Sequence, residues 1–350
     1  MITLHHFKKI ISLNPSSAPP LKIQHTRKEE NLVCLKIPYL YCNSVKVDLK
    51  KIISIFILLI AYHFSSAQHF FENDSVYNKK RTIGVSIFNG AAWAGSITAL
   101  QFVWYDDFAK ADFHTFNDGY EWQQMDKMGH FVTSWNFARA GGDLYEWSGI
   151  NHKVASLIGA GYSIGYMTTF ELLDGYSADW GFSWSDVAFN SFGSVTYFAQ
   201  EFLWNQQYVK FKFSAHNSGL ADYRPDVLGN NFTSRTFKDY NGQTYWISFN
   251  PIHWFAPNSK FPEWINLSLG YGIENQLYGD GSVYVLQNGN SQTIFNPYRQ
   301  YYLSFDIDFE KIPTNKKWLK FIFRSVNIFK IPFPALEISQ GKLNFKPFYF

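Results

Sequence analysis

At about residue 209 the spacing of apolar residues along this chain changes period, and that change limits the folds open to it. Upstream lie helix-length stretches almost without charge: none between Ile83 and Tyr105, and none between Val154 and Phe170. Downstream, apolar residues alternate with polar ones, as at Ile265, Leu267, Leu269, Tyr271 and Ile273, and again at Tyr301, Leu303, Phe305, Ile307 and Phe309. A helix repeats its faces every 3.6 residues and a strand every two, so one segment cannot satisfy both patterns. The expected class is α+β: an apolar four-helix bundle over about 82–207, then a C-terminal antiparallel β-sheet region over 243–350. The stretch 208–242, punctuated by Pro225, Gly229 and Asn241-Gly242, reads as a linker.

Within the helical half, Ile83–Tyr105 is long enough to span a bilayer, and its Gly, Ala and Ser residues would let helices approach closely in lipid. A fully buried helix fits the same composition. A second helix is expected from about Glu121 to Ala140, stopped by Gly141-Gly142, and a third from Lys153 to Leu173. The fourth runs from Ser183 or Ser185, whose hydroxyl can cap it, to about Gln206. Asp106, Asp107, Asp112 and Asp118 lack calcium-loop spacing and read as a solvated loop.

In the second half, weaker strand candidates are Thr244–Phe249, Ser282–Leu286, Leu336–Ser339 and Leu343–Tyr349, with an amphipathic helix near Lys317–Phe329. Six strands fall short of the eight that a closed membrane barrel needs. Phe348 and Phe350 end the chain as an outer-membrane strand would, but Asn344 and Lys346 break that alternation. A small sheet packed on the bundle is the favoured reading, with a structural outer-membrane protein as an alternative.

Lys50 and Lys51 precede an uncharged run from Ile52 to Tyr62, and Ser65-Ser66-Ala67 supplies small residues where a signal peptidase cuts. Residues 47–67 therefore read as a signal peptide, with the mature chain starting at Gln68. Residues 1–46 read as an early start or a long leader outside the mature protein. The whole chain carries 31 basic and 28 acidic residues; without the leader 22 basic face 25 acidic, which gives no reason to expect nucleic acid. Cys34 and Cys42 leave with the leader, so the mature part has no thiolate for catalysis, no disulfide and no lipobox attachment. The expected location is the cell envelope, periplasm-facing and membrane-associated or in the outer membrane.

One polar constellation interrupts the apolar helices. Asp126 and His130 share a helix face at i, i+4, with Lys127 alongside; Glu171 and Asp174 close the third helix; Asp186, Asn190 and Gly193 share a face of the fourth. Charge inside apolar helices is costly unless paired, so convergence of these groups is expected. The order Asp126-Lys127-x-x-His130-Phe131, Glu171 with Asp174, then Asp186-x3-Asn190-x2-Gly193 resembles the YfiM-like family of predicted periplasmic lipoproteins, a domain of unknown function. The same order is similar to that of VanZ-like membrane proteins. The resemblance covers about residues 120–205 and implies envelope residence without an assigned reaction.

Three roles stay open. The polar residues Asp126, Lys127, His130, Glu171, Asp174, Asp186 and Asn190 can form a buried network that fixes helix register. They can bind an envelope lipid or its phosphate, with Lys127 and Arg139 facing the anion. Or His130, with Asp126, Glu171 and Asp186 as further catalytic candidates, can serve a hydrolase, either as acid or base or as a metal ligand with Glu171 and Asp186. His152 has no evident partner in the sequence. The expectation is a protein that binds or organises an envelope component rather than an enzyme, with membrane or envelope lipid as partner, no cofactor and no nucleic acid.

Overall fold

The computed structural model describes residues 73–74, 76–103, 109–256, 258–288 and 291–350. The expected leader and its cleavage point, and both cysteines, lie outside these residues. The helical half consists of α1 (Lys79–Val103), α2 (Met125–Trp147), α3 (His152–Asp174) and α4 (Trp184–Trp204). Helices α2, α3 and α4 pack closely on one another. Helix α1 lies at their edge, where Trp93 meets Tyr162 and Tyr166 edge-on at 5.5 and 5.7 Å, and Tyr166 donates to Ser96 Oγ at 2.9 Å. No helix among the described residues is long and apolar enough to cross a membrane.

Helix α2 does not stop at Gly141-Gly142. It runs on to Trp147 because the glycines serve contact between helices rather than a cap. Seen from α3, a Cβ on Gly159 would lie 2.2 Å from the Ala138 carbonyl oxygen and 2.8 Å from Gly142 Cα, so the two backbones touch. The start of α2 is also later than the pattern suggests. Residues 121–124 form a 3-10 turn in which Trp122, Gln123 and Gln124 take positive φ values of 48°, 50° and 67°. Left-handed backbone costs non-glycine residues about 1–2 kcal/mol each, so outside contacts must hold it. Tyr271 donates to the Gln123 carbonyl at 2.5 Å, and the Trp122 amide donates to Gly279 O at 2.7 Å. Helices α3 and α4 start where side-chain caps place them: Asn151 accepts from Lys153 N, and Ser183 accepts from Asp186 N.

The stretch expected as a linker holds β1 (Val209–Ala215) and two short helices, α5 (Pro225–Leu228) and α6 (Phe232–Lys238). After it come β2 (Gln243–Phe249), a one-turn helix α7 (Pro251–Phe255), β3 (Ile265–Glu274), the hairpin β4 (Tyr284–Asn288) and β5 (Ser291–Phe295), β6 (Tyr298–Ile307), α8 (Lys317–Val326), β7 (Phe333–Ser339) and β8 (Lys342–Tyr349). The main sheet is antiparallel with order β1-β2-β3-β6-β7-β8, while β4 and β5 pair separately. The molecule is thus α+β, with the antiparallel sheet at the C-terminal end.

The sheet is strongly curled. Laid flat at about 4.8 Å per strand, β2 and β8 would stand about 19 Å apart. Instead Thr244 on β2 and Tyr349 on β8 meet through their hydroxyls at 3.0 Å, and Tyr349 stacks on Tyr302 of β6 at 4.1 Å. The outer edge of β1 is not free: the Phe213 amide donates to Ile328 O, and the Lys330 amide to Phe213 O, both at 2.9 Å. One row of apolar residues crosses all six strands on the convex face: Phe211, Ile247, Leu269, Leu303, Leu336 and Phe345. Its first member packs on α2, where Phe211 joins Phe131, Val132 and Trp135 in the main core. This core binds the bundle to the sheet, and truncating Trp135 or Phe131 to Ala should cost about 3–5 kcal/mol.

Candidate functional site

The polar residues singled out along the helices meet where the first turns of α2 and α4 face the last turn of α3. Lys127, whose side chain is only 1 % exposed, sits among three carboxylates: Asp118 at 2.8 Å, Asp126 at 2.9 Å and Asp186 at 2.5 Å. His130 lies one turn along. Its Nε2 stands 3.7 Å from Asp126 Oδ1 and 3.6 Å from Asp186 Oδ1, and its Nδ1 is 3.1 Å from Asn190 Oδ1 and 3.5 Å from Glu171 Oε1. Asn190 donates its amide to Glu171 Oε1 at 3.4 Å. Asp174, half-buried at the end of α3, lies outside this first ring, but its charge adds to the field on Glu171.

Two members come from outside the expected set. Asp118, expected in a solvated loop, accepts from Ser183 at 2.6 Å and from Ser185 at 2.8 Å, and it pairs with Lys127. The hydroxyls that cap α4 thus also tie down the preceding loop. Tyr240, from the stretch expected as linker, donates to Asp126 Oδ1 at 2.6 Å. Neither carries a periodic signal, since each reaches the site through a turn.

Four carboxylates therefore face two cationic groups. Burial pushes Glu171 up to about 8, with His130 opposing the shift. Burial likewise raises Asp186 to about 7, against the pull of His130 and with Asp126 adding to it. Asp126 goes the other way: burial would raise it, but His130 and Lys127 hold it below the usual carboxylate range. For Asp118 burial is outweighed by hydrogen bonds from Lys127 and Ser183, which hold it at about 2. Burial would discharge His130 and Lys127, yet the surrounding carboxylates raise both, His130 to about 9. Near neutral pH Glu171, and in part Asp186, therefore keep a proton, chiefly because burial disfavours their ionised forms.

Asp126, His130 and Asp186 each offer a ligand atom within 4.8 Å of the others, a set that could hold a metal ion. Sequence reasoning named His130, Glu171 and Asp186 for that task; the geometry puts Asp126 with the pair, and Glu171 on the other ring nitrogen of His130. The two basic residues considered for a phosphate are both engaged elsewhere. Lys127 is enclosed by carboxylates, and Arg139 pairs with Glu310 at 2.5 Å, at the junction with the sheet. His152, without a partner in the sequence, lies between Glu146 and Glu201, at 2.9 Å from each, and so links the ends of α2 and α4.

Residues 112–201 match the model of a family described as predicted periplasmic lipoprotein (DUF2279). The match contains every helical member of the cluster together with Asp118. It supports the resemblance at the family level and agrees with an exported, envelope-associated chain, whereas the YfiM-like and VanZ-like labels rest on the motif order alone. Neither a curated protein nor a solved structure matches the chain.

Proposed function

We propose that this envelope protein holds a divalent cation between Asp126, His130 and Asp186, and through that cation an anionic envelope component such as a lipid phosphate. The excess of carboxylates over cations in a largely buried cluster carries this reading. With Glu171 and Asp186 protonated the cluster is formally neutral, and with all four acids ionised it reaches −2, so a divalent ion would balance the charge left as it displaces those protons. A bare phosphate would find no unshared cation in the cluster, because Lys127 is already shared among three acids. Asp126 and His130 are each about one-fifth exposed, which leaves the outer side of the triad open to a ligand.

Calorimetric titration of the purified mature protein with Mn²⁺, Zn²⁺ and Ca²⁺, with and without phosphatidic acid, tests the proposal. Binding should release protons from His130 and Asp186, so affinity should rise with pH. Asp126→Asn and Asp186→Asn should abolish it, and phosphatidic acid should bind only when the metal is present. Phosphatidic acid binding equally well in chelator would refute this reading. Release of inorganic phosphate in the same mixtures, lost in His130→Ala, would instead make the site that of a hydrolase.

A further inference from the structure

The curled sheet has its polarity inverted. On the concave side, Lys212 pairs with Asp306 at 2.7 Å with both side chains fully buried, and Lys210 pairs with Asp308 at 2.7 Å. Ser248 donates to Asp306 at 2.7 Å, and Lys330 lies 4.5 Å over the ring of Trp246. Away from the bundle, the convex side is apolar and open: Leu269, Leu303, Leu336 and Phe345 in one row are 39–64 % exposed, and Tyr301, Ile338 and Leu343 in the next are 52–67 % exposed. A sheet folded for water alone turns its charged residues outward. Here ion pairs fill the inside, and lysine and aspartate are absent from the outside of β3 and β6 between Tyr301 and Ile307.

The C-terminal strand obeys the same inversion through a local correction. Asn344 and Lys346 seemed to break its alternation, but the pairing of β7 with β8 shifts by one residue between Phe333 and Ala335. In the regular register before the bulge Lys346 faces inward with the buried Glu337, which it meets at 3.1 Å, and the extra residue beyond it turns Phe348 outward at 78 % exposure.

Both ends of the apolar band carry aromatic and basic residues. At one end Arg299 donates to the Tyr271 hydroxyl at 3.0 Å, next to Tyr301. At the other, just beyond Ile307, come Lys311, Lys316 and Lys320, together with Trp318 on α8. From Tyr301 to Ile307 the band is about 20 Å tall, close to the apolar band of an outer-membrane sheet. Aromatic rings and cations at its margins suit the level of anionic headgroups.

We propose that the convex face of β3, β6, β7 and β8 lies against the hydrocarbon of a lipid bilayer, with its two aromatic and basic margins at headgroup level. This does not depend on which ligand the helical cluster binds. The mature chain has no cysteine, so Leu303→Cys, Phe345→Cys and, as a control, Gln287→Cys in the separate hairpin can each be labelled with an environment-sensitive dye. The labelled proteins are purified in detergent and reconstituted into vesicles of phosphatidylethanolamine and phosphatidylglycerol. Labels at 303 and 345 should emit at shorter wavelength and be quenched by nitroxide lipids, whereas the label at 287 should be quenched only by aqueous iodide. Leu303→Asp should also lose flotation with the vesicles, while Gln287→Asp should keep it. Labels at 303 and 345 open to iodide in the presence of vesicles would overturn the proposal. So would a blue shift that needs no lipid and grows with protein concentration, because a second copy of the chain would then cover the face.

Discussion

Replacing Lys127 with Met tests the electrostatics of the cluster most directly. The substitution preserves the length of the buried side chain and removes one positive charge from among Asp118, Asp126 and Asp186, which lie 2.5–2.9 Å from Nζ. Removing one partner of a buried ion pair costs about 3–5 kcal/mol, because the remaining charge keeps its desolvation penalty and loses its compensation. In a domain of this size that corresponds to a loss of roughly 6–20 °C in Tm. The cost must depend on pH, because it comes from ionised acids. As pH falls from 7.5 to 5, Asp186, raised to about 7, takes up its proton and no longer needs Lys127, so the gap between parent and variant should narrow. Chemical denaturation followed by circular dichroism at pH 7.5 and at pH 5 reads both quantities. The double variant Lys127→Met/Asp186→Asn should recover part of the loss. A cost below about 1 kcal/mol at pH 7.5, or one equal at both pH values, would refute the idea that Lys127 compensates these carboxylates.

Glu171 holds its proton to about 8, well above its unfolded value, so the folded protein binds the extra proton and stability should fall as pH rises from about 5 to 8. In Glu171→Gln that slope should flatten, by on the order of 3–5 kcal/mol across the window, in denaturation curves taken at several pH values. Asp118 has the opposite sign: depressed to about 2, its contribution is present above the ordinary aspartate range and is lost as pH drops toward 2. Asp118→Asn should therefore be less stable than the parent at pH 6 and lose that deficit by pH 2–3, as read by acid denaturation. Gly159→Ala places a methyl 2.2 Å from the Ala138 carbonyl oxygen, on backbone that cannot give way cheaply. It should lower stability by about 1–3 kcal/mol, and more if the helices separate, whereas Gly161→Ala, with open space around it, should be neutral or slightly stabilising in the same melt.

Much of the helical half was legible because its signals are local. The uncharged run from Val154 to Phe170 and the cap at Ser183 located α3 and α4 to within two residues. The i, i+4 spacings of Asp126 with His130 and of Asp186 with Asn190 placed each pair on one helix face, and packing brought the two faces together. What escaped is carried by the chain through space. Gly141-Gly142 looks the same whether it caps a helix or admits another backbone, and only the position of Gly159 on α3 decides between them. The left-handed turn at Trp122–Gln124 has no glycine to announce it and is imposed by Tyr271 and Gly279, about 150 residues further on. Asp118 and Tyr240 are ordinary turn residues until the fold sets them beside Lys127 and Asp126.

The sheet shows a deeper limit, since alternation gives a strand its two faces but not which of them is inside. Val209-Lys210-Phe211-Lys212-Phe213 alternates as cleanly as any stretch in the chain, yet it falls in the stretch that reads as linker, because alternation does not say that the lysine face points inward. In the structure those lysines are the interior, buried against Asp308 and Asp306, while Phe211 packs outward on the bundle. The partner aspartates sit at the end of β6, almost a hundred residues away, so no local window could have reported the pairing. The same ambiguity ran through Lys346, where a one-residue bulge rather than a broken pattern accounts for the mismatch. An interior of paired charges is costly compared with an apolar one. A fold that keeps one while leaving leucine and phenylalanine bare outside gains from that arrangement only where the surroundings are themselves apolar, which is why the outward face, rather than the strand count, is the feature that bears on a membrane.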